Sequence, residues 1–237
     1  MSTNNFSFLP FEKEREAKDK EFFSVDPAIT RYPSPIIDSV KQASEQEKIR
    51  LISEHFASIL EILGMDLENE SIKKTPLRIA KMYVQEVFSG LNKETFPDPS
   101  FIPDQNISPN HANTVFVKVS FTSFCEHHFV PFHGKAYISY LPNKKLIGLS
   151  KIPRIVRYFA KRPQVQERLT AQIADSLSIM LETENVAVSI IAEHFCVIAR
   201  GIEDSHSDTI TNHLRGVFES DENIRREFFE GINRQRH

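Results

Sequence analysis

From Ser44 onward, Ile49, Ile52, Phe56, Ile59, Leu60 and Leu63 recur at intervals of three and four, the spacing that gathers apolar side chains on one side of an α-helix. Ser44 and Glu47 stand at capping-box spacing and Gly64 supplies a stop, so the pattern predicts an amphipathic helix with both ends marked. Thr75 and Pro76 open a second helical pattern as N-cap and first-turn proline, and Ile79, Met82, Tyr83, Val87 and Phe88 carry it to a C-terminal Gly90. Between Asn92 and Asn113, Pro97, Pro99, Pro103 and Pro109 sit among polar residues and mark a connecting loop.

Past that loop the period changes from helical to alternating. Residues 114–120 (TVFVKVS) and 135–141 (KAYISYL) are rich in β-branched and aromatic side chains, as half-buried antiparallel strands are. A helix follows from Ser150 with Ile152, Ile155, Val156 and Phe159 inward. Another starts near Gln164 with Val165, Leu169, Ile173, Leu177 and Leu181, and Pro163 separates the two. Residues 186–199 return to strand composition, 206–218 pair back with them, and 221–232 close the chain as a helix carrying Ile224, Phe228 and Phe229 on one side. Strand pair, helix pair, strand pair and helix make an α+β chain. Three regions are expected: an arm over 1–43 that mixes charges and prolines without a period, a helical segment with its loop over 44–111, and the strand-bearing domain over 112–237.

Composition narrows the classes. The 237 residues carry 29 Lys plus Arg against 32 Asp plus Glu, a net charge of −3, so no global basic field draws nucleic acid or an anionic membrane. Any anionic ligand must be held by a local cluster. No apolar run approaches the roughly 18 residues of a membrane span. The N-terminus lacks a basic stretch followed by an apolar one, which makes the cytoplasm the expected compartment.

The two cysteines of the chain are too few for a disulfide framework, and both lie beside histidines, in Cys125-Glu126-His127-His128 and His194-Phe195-Cys196. Two residues separate Cys125 from His128, a common spacing for two ligands of one tetrahedral Zn²⁺, and Cys196 offers a third. Three protein ligands leave a position for water, the arrangement of catalytic zinc. Two plainer readings stand beside it: cysteines as small buried hydrophobes, and a disulfide between them. His127 and His128 are adjacent and should point apart, so one ligates and the other is left near the bound water. Treated as one regular strand, His194, Cys196, Ile198 and Arg200 project from the same face.

Gly148-Leu149-Ser150-Lys151-Ile152-Pro153-Arg154 would set backbone N–H groups, a hydroxyl, an ammonium and a guanidinium at one helix start, which is physically a phosphate site, although a solvated basic face has the same composition. It lacks the glycine spacing of a Walker loop. Glu167, with Gln166 and Arg168 beside it, lies at the next helix start, where the dipole favours a carboxylate in any case; facing the same cleft, it could accept from the N–H edge of guanine. A non-catalytic zinc module for nucleic acid would call for four closed ligands and a basic surface, and the chain offers three ligands and a net charge of −3.

Taken together, TPLRIAKMY, SFCEHHFVPFHGKAYISYLP, IGLSKIPRIV, RPQVQERLTAQIADSL, VAVSIIAEHFCVIARGI and the closing RGVF resemble the GTP cyclohydrolase I family, in order, over residues 44–233. The resemblance implies conversion of GTP and water to 7,8-dihydroneopterin triphosphate with release of formate, on the way to folate and tetrahydropterins. It places Cys125, His128 and Cys196 on the zinc ligands, and His127 and His194 on the non-ligand histidines that move protons. Glu167 falls on the guanine anchor with Gln166 beside it, and Ser150, Lys151, Arg154 and Arg200 fall on triphosphate contacts. Arg78 and Lys81 match a basic pair that reaches a neighbouring subunit's site. The fold implied is the tunnelling fold, an antiparallel four-stranded sheet backed by two helices, assembled as a toroidal decamer of two pentamers. The segment 206–216 departs from the family's Thr and Ser run, with Asp208, Asn212, His213 and Arg215 in its place.

Overall fold

Ser44 opens the first helix through its side chain, which accepts from the Glu47 N–H at 3.2 Å. Helix α1 spans Glu45–Ile62. The reciprocal half of the capping box is not made, because the Glu47 carboxylate holds Arg50 at 2.7 and 3.0 Å instead. No residue of α1 is buried, and Ile59 of its apolar stripe is 46% exposed. In this computed structural model the described residues are 32–36, 43–98, 101–103, 114–143 and 145–235, so most of the arm expected over 1–43 lies outside them. Tyr32 and Ser34 are docked: Gln172 Nε2 donates to the Tyr32 carbonyl at 2.7 Å and reaches Ser34 Oγ at 3.1 Å.

Helix α2 covers Thr75–Lys81, with Lys74 rather than Thr75 at the cap position and Pro76 inside the first turn. A π-helical turn over Met82–Val87 extends it, and the wider turn sets Tyr83 against Phe56, with ring centroids 5.5 Å apart. Gly90 does not stop the helix by a left-handed conformation. It lies in a 3₁₀ turn, Ser89–Leu91, where its N–H donates to the Lys161 carbonyl at 2.9 Å, and a Cβ there would stand 2.1 Å from the Tyr158 carbonyl oxygen.

The main sheet has the order β5-β2-β3-β6-β7. Strands β2 (Val115–Cys125), β3 (Pro131–Tyr140), β6 (Val186–His194) and β7 (Thr209–Leu214) are antiparallel neighbours, with Val119 opposite Ala136 and Ile138 opposite Val188. The expected count of four is exceeded by β5, Pro163–Gln164, which runs parallel to the end of β2 and sets Gln164 opposite Cys125. Strands β1 (Phe101–Pro103) and β4 (Lys145–Ile147) form a separate small ladder.

Helices α3 (Lys151–Ala160) and α4 (Gln166–Leu181) pack on one face of the sheet. Ile152, Ile155 and Phe159 meet Leu169, Ile173 and Leu177 there, against Val119, Phe121, Ile138 and Val188, all buried. The other face holds a smaller cluster of Tyr137, Ala187, Phe218, Phe228 and Ile232. Phe228 and Ile232 come from α7 (Glu222–Arg234), capped by Asp221, after two short helices, α5 (Phe195–Ile198) and α6 (Val217–Ser220).

Two strand readings need correction. β6 ends at His194, and Phe195–Ile198 turns as α5, so Cys196, Ile198 and Arg200 do not continue a strand face from His194. The last strand is shorter than 206–218, spanning Thr209–Leu214, and pairs with β6 as expected. Arg215 from the divergent segment is paired: its Nη2 lies 2.5 Å from Asp175 Oδ1, nearly buried on α4. Among the described residues no helix is long and apolar enough to cross a membrane.

Candidate metal centre

The turn between β2 and β3 is fixed at both ends. Cys125 N–H donates to the Val130 carbonyl at 2.9 Å, Phe129 N–H to the Cys125 carbonyl at 2.8 Å, and Glu126 N–H to the Gln164 carbonyl at 2.9 Å. Phe129 takes a left-handed φ of 54° to close the turn. Its ring packs on Phe88 at 5.3 Å, which ties the helical segment to this turn. Cys196 approaches from the helical turn after β6, held nearby because Phe132 of β3 pairs with His194.

The ligand atoms of Cys125, His128 and Cys196 all lie within 4.8 Å of one another. Zn–S bonds of about 2.3 Å set tetrahedral ligand atoms roughly 3.8 Å apart, so small side-chain shifts would close these three around an ion. Burial and the neighbouring Cys125 thiol push the Cys196 thiol up, with Arg200 opposing them. A divalent cation held between the two sulfurs would oppose that push, since a coordinating thiol is bound as its thiolate. The donor chemistry therefore fits zinc. Arg200 Nη1 stands 3.1 Å from His128 Nε2, so the guanidinium reaches this group from a loop rather than from a strand face.

His127 lies beside the trio and outside it. Its Nδ1 is 3.7 Å from Cys125 Sγ, its Nε2 is 4.0 Å from Glu126 Oε1, and its ring stands at 78° to that of His128. His194 is half-buried, stacked on Phe132 at 4.6 Å with rings 3° from parallel, and its Nε2 lies 2.7 Å from Gln166 Oε1. Burial pushes the His194 pKa down and the Glu167 charge raises it again, so Glu167 acts electrostatically on this histidine. Gln166 and Glu167 open α4, the first buried and the second exposed.

Apart from Arg200, the cations expected to hold phosphates sit on two helices. Ser150 occupies the N-cap position of α3 without a side-chain cap bond, Lys151 donates to the Asp98 carbonyl at 2.5 Å, and Arg154 is exposed. Arg78 and Lys81 are exposed on α2. Sequence reasoning assigned no task to Glu126 or Arg168, which form a forked ion pair, nor to Gln164, whose Nε2 donates to Gln172 Oε1 at 2.8 Å. No local signal marks such pairs, since the partners are distant in the chain.

A sequence model of GTP cyclohydrolase I matches residues 52–233, which include both cysteine segments and the starts of α3 and α4. The chain belongs to the GTP cyclohydrolase I family. Proteins named GTP cyclohydrolase 1 from Buchnera aphidicola and Wigglesworthia glossinidia are 48% identical over 196 residues and 52% identical over 190. Those matches cover 83% and 79% of this chain and 89% and 87% of the relatives. One from Citrobacter koseri is 48% identical over 199 residues, covering 84% of this chain and 89% of the relative. The chain is thus an enzyme of the GTP cyclohydrolase I family, of mixed α+β fold, with a Cys-His-Cys group able to bind a metal.

Proposed function

We propose that this enzyme converts GTP and water to 7,8-dihydroneopterin triphosphate with release of formate, in a zinc-dependent reaction that begins folate and tetrahydropterin biosynthesis. The observation that carries the reading is the convergence of Cys125, His128 and Cys196 in a chain of the GTP cyclohydrolase I family. These three residues would hold the ion. When bound, zinc lowers the pKa of a coordinated water toward about 7, the chemistry that attack at C8 of the purine needs at neutral pH.

The remaining work falls to the chain's own side chains. His127, beside the trio, and His194, two residues before Cys196, deliver protons to the ring nitrogens as the C8–N bonds break. Glu167, with Gln166 beside it, anchors guanine by accepting from its N–H edge. Ser150, Lys151, Arg154 and Arg200 hold the triphosphate, so that the sugar can rearrange and the ring reclose without loss of the intermediate. Arg78 and Lys81 complete a neighbouring subunit's site.

The assembly in this reading is the toroidal decamer of two pentamers, built from tunnelling-fold domains over 112–237 with the helical segment 44–111 and the arm 1–43. It acts in the cytoplasm, without nucleic acid or membrane as partner. Supporting it, the outer edge of β7 and most of that of β2 pair with no strand among the described residues, and Ile210 on β7 is exposed. Such edges call for another chain. The test is incubation with GTP, reading a fluorescent pterin after oxidation and dephosphorylation, with formate in equal amount. A zinc-loaded oligomer that yields neither product overturns the reading.

A further inference from the structure

Gln166 is 2% exposed although it stands at a helix start beside exposed Glu167. Its Nε2 lies 3.1 Å from the Ile190 carbonyl oxygen, 2.9 Å from that of Thr209 and 3.2 Å from Thr211 Oγ1. Carbonyl oxygens only accept, so the end of the amide that meets two of them is the NH₂ end. The flipped amide would press Oε1 against two oxygens in a buried position.

The hydroxyls agree with this direction. Thr170 Oγ1 donates to the Gln166 carbonyl at 2.7 Å, which uses its single hydrogen. Thr211 Oγ1, 2.6 Å from Thr170 Oγ1, is therefore the donor in that pair and accepts from Gln166. The cycle runs one way, from the Gln166 NH₂ through Thr211 and Thr170 back to the Gln166 main chain. Only Oε1 is left to meet His194 Nε2, at 2.7 Å, and an amide oxygen can only accept. The hydrogen of that bond belongs to the imidazole, and the lone pair of the neutral ring is on Nδ1.

We propose that Gln166 is a positioning residue that holds His194 as its Nε2–H tautomer and so assigns proton uptake to Nδ1. The inference rests on the reading of His194 as a proton carrier. Nδ1 accepts a proton, the ring becomes an imidazolium, and Nε2–H stays bonded to Gln166 Oε1 throughout. Passing that proton from Nδ1 to a departing ring nitrogen restores the starting tautomer, and none passes to Gln166. Stacking on Phe132 keeps the ring plane fixed meanwhile. A guanine contact through the Gln166 side chain would require breaking this buried set of bonds.

The test is ¹⁵N NMR of the zinc-loaded, full-length oligomer with ¹⁵N-labelled histidine, assigning the His194 ring by its loss in His194→Asn. The expected spectrum has a pyrrole-type Nε2 and a pyridine-type Nδ1. A pyridine-type Nε2, or shifts averaged between tautomers in the unsubstituted protein, overturns the proposal without recourse to any variant. Gln166→Met, of similar volume, and Gln166→Asn, which withdraws the oxygen, should each give averaged ring shifts. Each should lower kcat about tenfold or more with KM for GTP within about twofold. A KM raised tenfold with kcat kept means that Gln166 reads guanine, and the proposal fails. Full GTP turnover with the opposite tautomer overturns this inference alone, whereas the expected tautomer without turnover overturns the reaction beneath it.

Discussion

Arg168 grips Glu126 with both arms of its guanidinium, Nη1 at 2.5 Å from Oε2 and Nη2 at 3.1 Å from Oε1. Glu126 lies in the turn between Cys125 and His127, and Arg168 lies on α4 next to Glu167, so the pair fastens the thiol-bearing turn to the helix expected to read guanine. The guanidinium holds the Glu126 carboxyl below the usual carboxylate range, against the opposing pull of partial burial.

Arg168→Ala leaves Glu126 without its forked partner where each side chain is 20% exposed. A loss of about 1–2 kcal/mol is expected in denaturant unfolding, together with weaker zinc retention. Arg168→Lys, which keeps the charge and removes the fork, should recover less than half of that loss. Unchanged stability and zinc content in Arg168→Ala would show that the pair fastens nothing.

Cys196→Ala and Cys125→Ala should each lose zinc and activity together, measured as metal per subunit by elemental analysis. One zinc per subunit is expected in the unsubstituted protein. A chelator should abolish turnover and added Zn²⁺ should restore it. Full zinc occupancy in Cys196→Ala would remove that residue from the ligand set.

His127→Ala and His194→Ala should retain zinc and slow the chemical steps about a hundredfold or more, with a ring-opened formylated intermediate accumulating in one of them. The readout is single-turnover chromatography alongside metal content. Loss of zinc in His127→Ala would mean that His127, and not His128, is the ligand.

Mixing inactive Cys196→Ala with inactive Arg78→Ala under subunit exchange should restore part of the activity, since a hybrid site can take its metal and its arginine from different chains. No rescue in verified mixed oligomers, or full turnover by a dilute monomer, would refute shared sites.

Gly90→Ala should cost about 2–3 kcal/mol in denaturant unfolding, because its Cβ would stand 2.1 Å from the Tyr158 carbonyl oxygen and 2.8 Å from that of Lys161, both rigid main-chain atoms. Stability within experimental error of the parent would show that the helical segment can move away from α3.

Periodicity located the five longer helices and the four antiparallel strands because burying one face of a helix or sheet forces a repeat of 3.6 or 2 on the residues. Ser44 reads as a cap because its hydroxyl needs only a neighbour three residues away, and the Cys-Glu-His-His run reads as ligands because one turn fixes their spacing. The strand reading failed at Cys196. Residues 195–198 are as apolar as the strand before them, and nothing local says that pairing with β3 ends where Phe132 meets His194. Gly90 misled for a related reason: a glycine at the end of a helical pattern looks the same whether it supplies a positive φ or room for another backbone.

The residue pattern by itself determined the five longer helices, the four antiparallel strands and which side chains have metal-binding chemistry, all properties of neighbours within a turn or a strand. Only the tertiary structure decided that both thiols and His128 converge, that Arg168 holds Glu126, and that the Gln166 amide faces His194 with its oxygen. Those contacts join residues on separate elements, and sheet order, strand register and donor geometry set them. A directional bond of about 3 Å exists only once the whole core has fixed both of its ends.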